Sequence, residues 1–134
     1  MVGRLYLCAP AVDAGVLRAA LSGGVDVVQL RDHALDDGGL LRAAGVFRAA
    51  AEEAGALFVL NDRPDLAVRC GAGGVHVGQE DATPAEARAA VGPGAVIGRS
   101  TRAPEQAAAA AADRGVGYLS GGPVWPPSDQ PGRG

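Results

Sequence analysis

Short, mostly apolar stretches alternate with helical periods along the whole chain. The apolar stretches fall at residues 5–8, 25–30, 57–60, 74–77, 95–97 and 117–119. The second is nearly continuous, as a strand buried on both faces requires. Helical patterns fill the gaps. Asp13 is placed to cap a helix over 14–21 that Ser22-Gly23-Gly24 stops. After a turn at 36–39, Leu40, Leu41, Ala44, Phe47 and Ala51 give helical spacing over 40–54, ending at Gly55. A short helix is expected over 65–70, closed by Gly71. Thr83, Pro84 and Glu86 form a capping box with the favoured proline, opening a helix to about residue 90. The alanine-rich stretch 104–114 reads as helix, since alanine is the best helix former.

Strand–helix alternation, five times over and closed by a sixth strand, predicts a parallel sheet with helices outside. A doubly wound open sheet and a (β/α)8 barrel both fit that pattern. Polar residues gather at the C-terminal ends of strands two to six rather than at one crossover. That distribution favours a barrel mouth over a topological switch point. The expected fold class is therefore α/β of the (β/α)8 TIM-barrel type, here an incomplete barrel of about six parallel strands and five helices. A single partial domain is expected over 1–134, with β/α units to about 122 and an irregular Pro/Gly-rich tail over 123–134.

At 134 residues the chain is long enough for a real core, burying roughly 65–70% of its unfolded surface if compact. Net charge −3 and the absence of a basic patch argue against nucleic acid as a partner. All 12 basic residues are arginine, which excludes Schiff-base chemistry because a guanidinium supplies no amine nucleophile. Cys8 and Cys70 lack metal spacing and read as small buried hydrophobes in a reducing compartment. Arg4 onward reads as a strand, not a leader. No apolar run approaches the roughly 20 residues of a membrane span. A soluble, cytoplasmic protein without membrane contact is the expectation.

The candidate chemistry lies at the strand tips. Gln29 and Arg31 are two apart on one strand and so point the same way, toward the barrel mouth. Arg31 suits bidentate recognition of phosphate oxygens, although an arginine paired with Asp32 or left in solvent accounts for it equally well. Asp62 and Asp81 follow adjacent strands, roughly 4.8 Å apart, within reach of one cation. Two carboxylates with waters and substrate oxygens is how Mg²⁺ is commonly held; two loop caps are the plainer alternative. Ser100 offers a donor to phosphate or closes an ST-turn. His76, flanked by Val75 and Val77, reads as a packed core histidine. Gly71-Ala72-Gly73-Gly74 precedes a strand and lacks the third glycine of a dinucleotide loop. Trp125 reads as a lid over the barrel end or a packing residue.

Five stretches carry a family resemblance: Val28-Gln29-Leu30-Arg31-Asp32-His33, Leu60-Asn61-Asp62-Arg63-Pro64-Asp65-Leu66-Ala67, Gly74-Val75-His76-Val77-Gly78-Gln79-Glu80-Asp81, Ile97-Gly98-Arg99-Ser100-Thr101 and Gly121-Gly122-Pro123-Val124-Trp125-Pro126. In this order they resemble thiamine-phosphate synthase (thiamine-phosphate pyrophosphorylase), a (β/α)8 barrel enzyme. The resemblance implies a transferase of thiamine biosynthesis. It joins hydroxymethylpyrimidine diphosphate to hydroxyethylthiazole phosphate and releases pyrophosphate. It further implies Mg²⁺ on Asp62 and Asp81. Gln29, Arg31, His33 and Asn61 would contact the pyrimidine diphosphate, Ser100 would bind a pyrophosphate oxygen, and no residue would act as acid or base.

The chain also departs from the family. His33 stands in place of a lysine, exchanging a permanent charge for one that changes near neutrality. Arg102 stands where a histidine is usual. Pro127-Ser128-Asp129-Gln130 replaces a T-x-T-K-type run, and Gly134 ends the sequence where the family continues through two more β/α units. A C-terminally truncated member with degenerate motifs is expected, its open sheet edges inviting self-association. An inactive or weakly active remnant binding only Mg²⁺ and diphosphate, and a thiazole tautomerase-type isomerase, stay open as alternatives.

Overall fold

The chain forms β1 (Tyr6–Ala9), α1 (Ala14–Ser22), β2 (Val27–Leu30), α2 (Asp37–Ala54), β3 (Leu57–Asn61), α3 (Pro64–Ala67), β4 (Gly74–Val77), α4 (Pro84–Val91), β5 (Val96–Thr101), α5 (Pro104–Ala112) and β6 (Tyr118–Gly121). The computed structural model describes residues 2–126. Its six strands pair in parallel in the order β1-β2-β3-β4-β5-β6. A doubly wound sheet needs a reversal of strand order, and this sheet has none. Right-handed crossovers in a monotonic order put every helix on one face. That is the arc of a barrel.

Alternation along each strand divides the side chains between two surfaces. Val28, Leu30, Phe58, Leu60, Val75, Val77 and Ile97 join Leu17, Ala44, Phe47 and Ala87 in one core beneath the helices. Phe47 and Phe58 meet there with ring centroids 6.0 Å apart. The intervening residues Gln29, Val59, His76 and Gly98 therefore face the inner, bore surface. The arc curls enough for its two end strands to touch across that bore, the Tyr6 and Tyr118 hydroxyls lying 2.6 Å apart. Among the described residues the outer edges of β1 and β6 stay unpaired.

Several expected boundaries move. Helix α2 starts at Asp37 rather than residue 40, because the Asp36 side chain accepts from the Gly39 N–H and caps it. β2 begins at Val27, since the Val25 N–H still serves the end of α1 through the Ala20 carbonyl. β5 runs on to Thr101, so Ser100 lies within the strand, opposite Ser120 of β6. Thr83 and Glu86 make the full capping box ahead of α4. Of the cysteines only Cys70 is buried. Cys8 is exposed because β1 lies at the edge of the arc. Trp125 is 80% exposed, so it is not buried against the described residues. The tail from residue 127 on, with Ser128, Asp129 and Gln130, lies outside the described residues. Among the described residues no helix is long and apolar enough to cross a membrane.

Candidate functional site

A cavity of about 370 Å³ opens at the C-terminal end of the sheet. Arg31, His33, Asn61, Asp62, Asp81 and Ser100 all line it, drawn from the ends of β2, β3, β4 and β5. Parallel strands deliver every strand tip to one rim, which is why residues far apart in sequence meet here.

Asp62 holds the floor beside Asn61. Its φ is +55°, the left-handed region that few residues besides glycine, asparagine and aspartate enter readily. Its backbone N–H donates to the His76 carbonyl at 2.8 Å, so β4 fixes the unusual turn. Asp81 closes a tight loop by accepting from the Gly78 N–H at 2.7 Å. A Cβ on Gly78 would meet that same Asp81 oxygen at 2.7 Å, so any larger residue there would displace the Asp81 carboxylate. Burial pushes the Asp62 carboxyl up to about 6, helped by a hydrogen bond and the charge of Asp81; His33 and Arg63 oppose the rise. A carboxylate pressed against a second one in this way makes a place for a proton or a cation. Among the described residues no cluster of three or more His, Cys, Asp or Glu gathers as a metal site. The pair fits Mg²⁺, an ion that keeps waters and substrate oxygens in its shell.

Cationic groups face these acids. Arg31 continues the ladder beyond β2, its N–H donating to the Ala9 carbonyl at 2.9 Å. Asp32 is not its partner: that carboxylate accepts from the Ala11 and Ala34 N–H groups. Arg31 makes no ion pair among the described residues, which leaves its guanidinium to the cavity. Arg102 also lines the cavity. Arg63, by contrast, is a structural clamp, paired with Asp65 and Asp37 at 2.9 Å each.

Gln29 does not line the cavity. It is buried below it in the bore, donating to the Tyr6 hydroxyl at 2.6 Å and accepting from the Cys8 thiol at 3.5 Å. His76 is buried, as a core histidine should be, yet it also lines the cavity and contacts Ser100 Oγ at 2.7 Å through Nε2. Desolvation, then the Arg31 charge, pulls its pKa down to about 4 against Asp81. Its ring is neutral at pH 7.

The motif around Asp81 contains more than its acid. Gln79 donates to the Ser100 carbonyl at 2.8 Å, and Arg99 donates to the Gly78 carbonyl at 2.8 Å. Those two bonds strap the loop after β4 onto β5. Glu80, Thr101 and Ser120 complete the rim. Sequence reasoning places Thr101 and Ser120 at strand tips but gives no role to Gln79, Glu80, Tyr6 or Tyr118. Only Tyr6 and Tyr118 leave no local trace, because their meeting depends on how far the sheet curls.

The family profile described as thiamine monophosphate synthase matches residues 5–133. The chain is 48% identical to the thiamine-phosphate synthase of Thermobifida fusca, over 97% of this chain and 62% of that protein. It is 47% identical to the Thermus thermophilus thiamine-phosphate synthase, over 99% of this chain and 66% of that one. A solved thiamine phosphate pyrophosphorylase from Pyrococcus furiosus superposes with a TM-score of 0.82 at 30% identity, covering 92% of this chain and 61% of that one. The chain thus spans less than two thirds of the length of these relatives.

Proposed function

The chain belongs to the thiamine monophosphate synthase family, and from that premise we propose that it is a transferase joining hydroxymethylpyrimidine diphosphate to hydroxyethylthiazole phosphate. In that reaction the bond from the exocyclic carbon to the diphosphate breaks, and pyrophosphate leaves with the electron pair. The thiazole nitrogen lone pair forms the new C–N bond. No proton must be removed, so the site needs cations and donors more than a base.

The residues answer that demand. Arg31 and Arg102 are the arginines lining the cavity, with His33, Asn61 and Ser100 as further polar lining residues. Asp62 and Asp81 would hold Mg²⁺, which when bound neutralises charge on the departing pyrophosphate. Gln29 would meet the pyrimidine from the bore through its amide oxygen, its amide N–H staying on Tyr6. The observation that carries the reading is the Asp62–Asp81 pair facing Arg31 and Ser100 in one cavity.

The test is formation of thiamine phosphate from both substrates with Mg²⁺, using Asp62→Asn as control. Product above that control supports the reading. Equal traces from both proteins overturn it.

A further inference from the structure

A chain of hydrogen bonds crosses the bore beneath the cavity. The Gln29 amide N–H donates to the Tyr6 hydroxyl at 2.6 Å. Tyr6 and Tyr118 share a hydroxyl contact of 2.6 Å, and Tyr118 meets His76 Nδ1 at 2.9 Å. His76 Nε2 meets Ser100 Oγ at 2.7 Å, at the cavity wall. We propose that His76 is a positioning residue, held by Tyr118 as the Nε2–H tautomer, so that the Ser100 hydroxyl proton is free to point at an oxyanion in the cavity.

The direction follows from counting protons. An amide nitrogen only donates, so the Tyr6 oxygen accepts from Gln29 and its own proton goes to Tyr118. Tyr118 has then accepted once, and its proton goes to His76 Nδ1. A neutral imidazole that accepts at Nδ1 carries its proton on Nε2, which donates to Ser100. The serine proton is left for the cavity. In the reverse direction the Tyr6 oxygen would accept from both Gln29 and Tyr118, and its own proton would find no acceptor among the described residues. The Cys8 thiol supports the forward direction by donating to Gln29 Oε1 at 3.5 Å.

Gly98 makes the relay possible. It lies opposite both His76 and Tyr118 in the strand register. A Cβ there would collide with the Tyr118 ring and meet His76 Nδ1 at 2.6 Å. The bare backbone of β5 is the recess in which the tyrosine reaches the histidine, their ring centroids 5.5 Å apart.

The inference rests on the functional reading above only for the identity of the anion, and its test has two independent readouts. Nitrogen-15 shifts of the His76 ring report the tautomer; only His33 shares the spectrum, and His33→Gln assigns it. Wild-type protein should show Nε2–H and bare Nδ1 at pH 7, and Tyr118→Phe or Tyr6→Phe should drift toward a mixture. Titration with inorganic pyrophosphate and Mg²⁺ should give binding weakened roughly three- to tenfold in Tyr118→Phe, with Ser100→Ala at least as weak. An Nδ1–H or mixed tautomer in wild type overturns the relay. So does unchanged pyrophosphate affinity in a Tyr118→Phe protein whose tautomer has shifted. The expected tautomer with no pyrophosphate binding by wild type instead overturns the diphosphate reading of the cavity and leaves the relay standing.

Discussion

The backbone N–H of Asp62 donates to the His76 carbonyl at 2.8 Å, and this one bond joins the acidic half of the cavity to the polar bore. Asp62 is held in a left-handed turn with its carboxylate against Asp81. Stability and function pull in opposite directions at this position. Asp62→Asn keeps a side chain that tolerates positive φ and removes the repulsion, so its melting temperature should equal or exceed wild type. Asp62→Ala keeps the strain and should cost on the order of 1 kcal/mol relative to Asn. Both should lose about 100-fold or more in kcat/KM, on the scale of charge stabilisation that a catalytic metal supplies. A less stable Asn variant, in paired melting and rate measurements, argues against the repulsion.

The raised Asp62 pKa, about 6, fixes a pH dependence. An aspartate whose folded pKa lies above its unfolded value stabilises the fold fully below the unfolded value, and that contribution is lost as pH rises through 6. Metal-free protein should therefore lose stability between about pH 4 and 6 from this group. Mg²⁺ held by this pair would compete with the same proton, so its binding should weaken as pH falls through 6 and its stabilising effect should grow above it. Melting curves with and without Mg²⁺ at pH 5 and 7.5 read this directly; an Mg²⁺ shift of equal size at both would contradict it.

Arg99 straps the Glu80-Asp81 loop to β5 through the Gly78 carbonyl, with Gln79 at 3.4 Å from the same guanidinium. A lysine has a point charge and cannot reproduce that fork. Arg99→Lys should loosen Asp81, weakening Mg²⁺ affinity about three- to tenfold, the scale of one or two hydrogen bonds. Calorimetric titration of Mg²⁺ into both proteins is the check, and equal affinities would show that the strap does not position the acid.

The Thr83–Glu86 capping box satisfies two backbone donors at the start of α4, at 3.2 and 3.0 Å. Thr83→Ala should cost about 1 kcal/mol in chemical denaturation and leave Mg²⁺ binding intact, because the cap lies outside the cavity lining. A matching loss of Mg²⁺ affinity would place α4 in the site's support.

Self-association is expected from the open arc. β1 and β6 present unpaired edges among the described residues, and Leu5 and Leu119 beside them are 51% and 38% exposed. Unpaired edges with apolar neighbours seek further strands. Light scattering should show mass rising with concentration; a constant monomer mass across the range would remove this expectation.

The sequence by itself determined the alternation of six strands and five helices, the capping box of α4, and the motifs that place Arg31, Asn61, Asp62, Asp81 and Ser100 at strand ends. Those features are legible because period, caps and strand tips are local, and parallel strands bring all their tips to one rim. It missed the early start of α2 because Asp36 looks like a turn residue until its carboxylate meets the Gly39 N–H. It turned Gln29 with Arg31 toward the mouth, whereas Gln29 is buried in the bore; it read His76 as core, whereas His76 also lines the cavity; and it gave no hint of Tyr6 or Tyr118. Only the tertiary structure decided those, since the curl of the sheet sets which side chains meet across the bore. Tyr6 and Tyr118 stand 112 residues apart and touch because the curl of the arc brings β1 and β6 toward each other across the bore, and Gly98 leaves room for the Tyr118 ring.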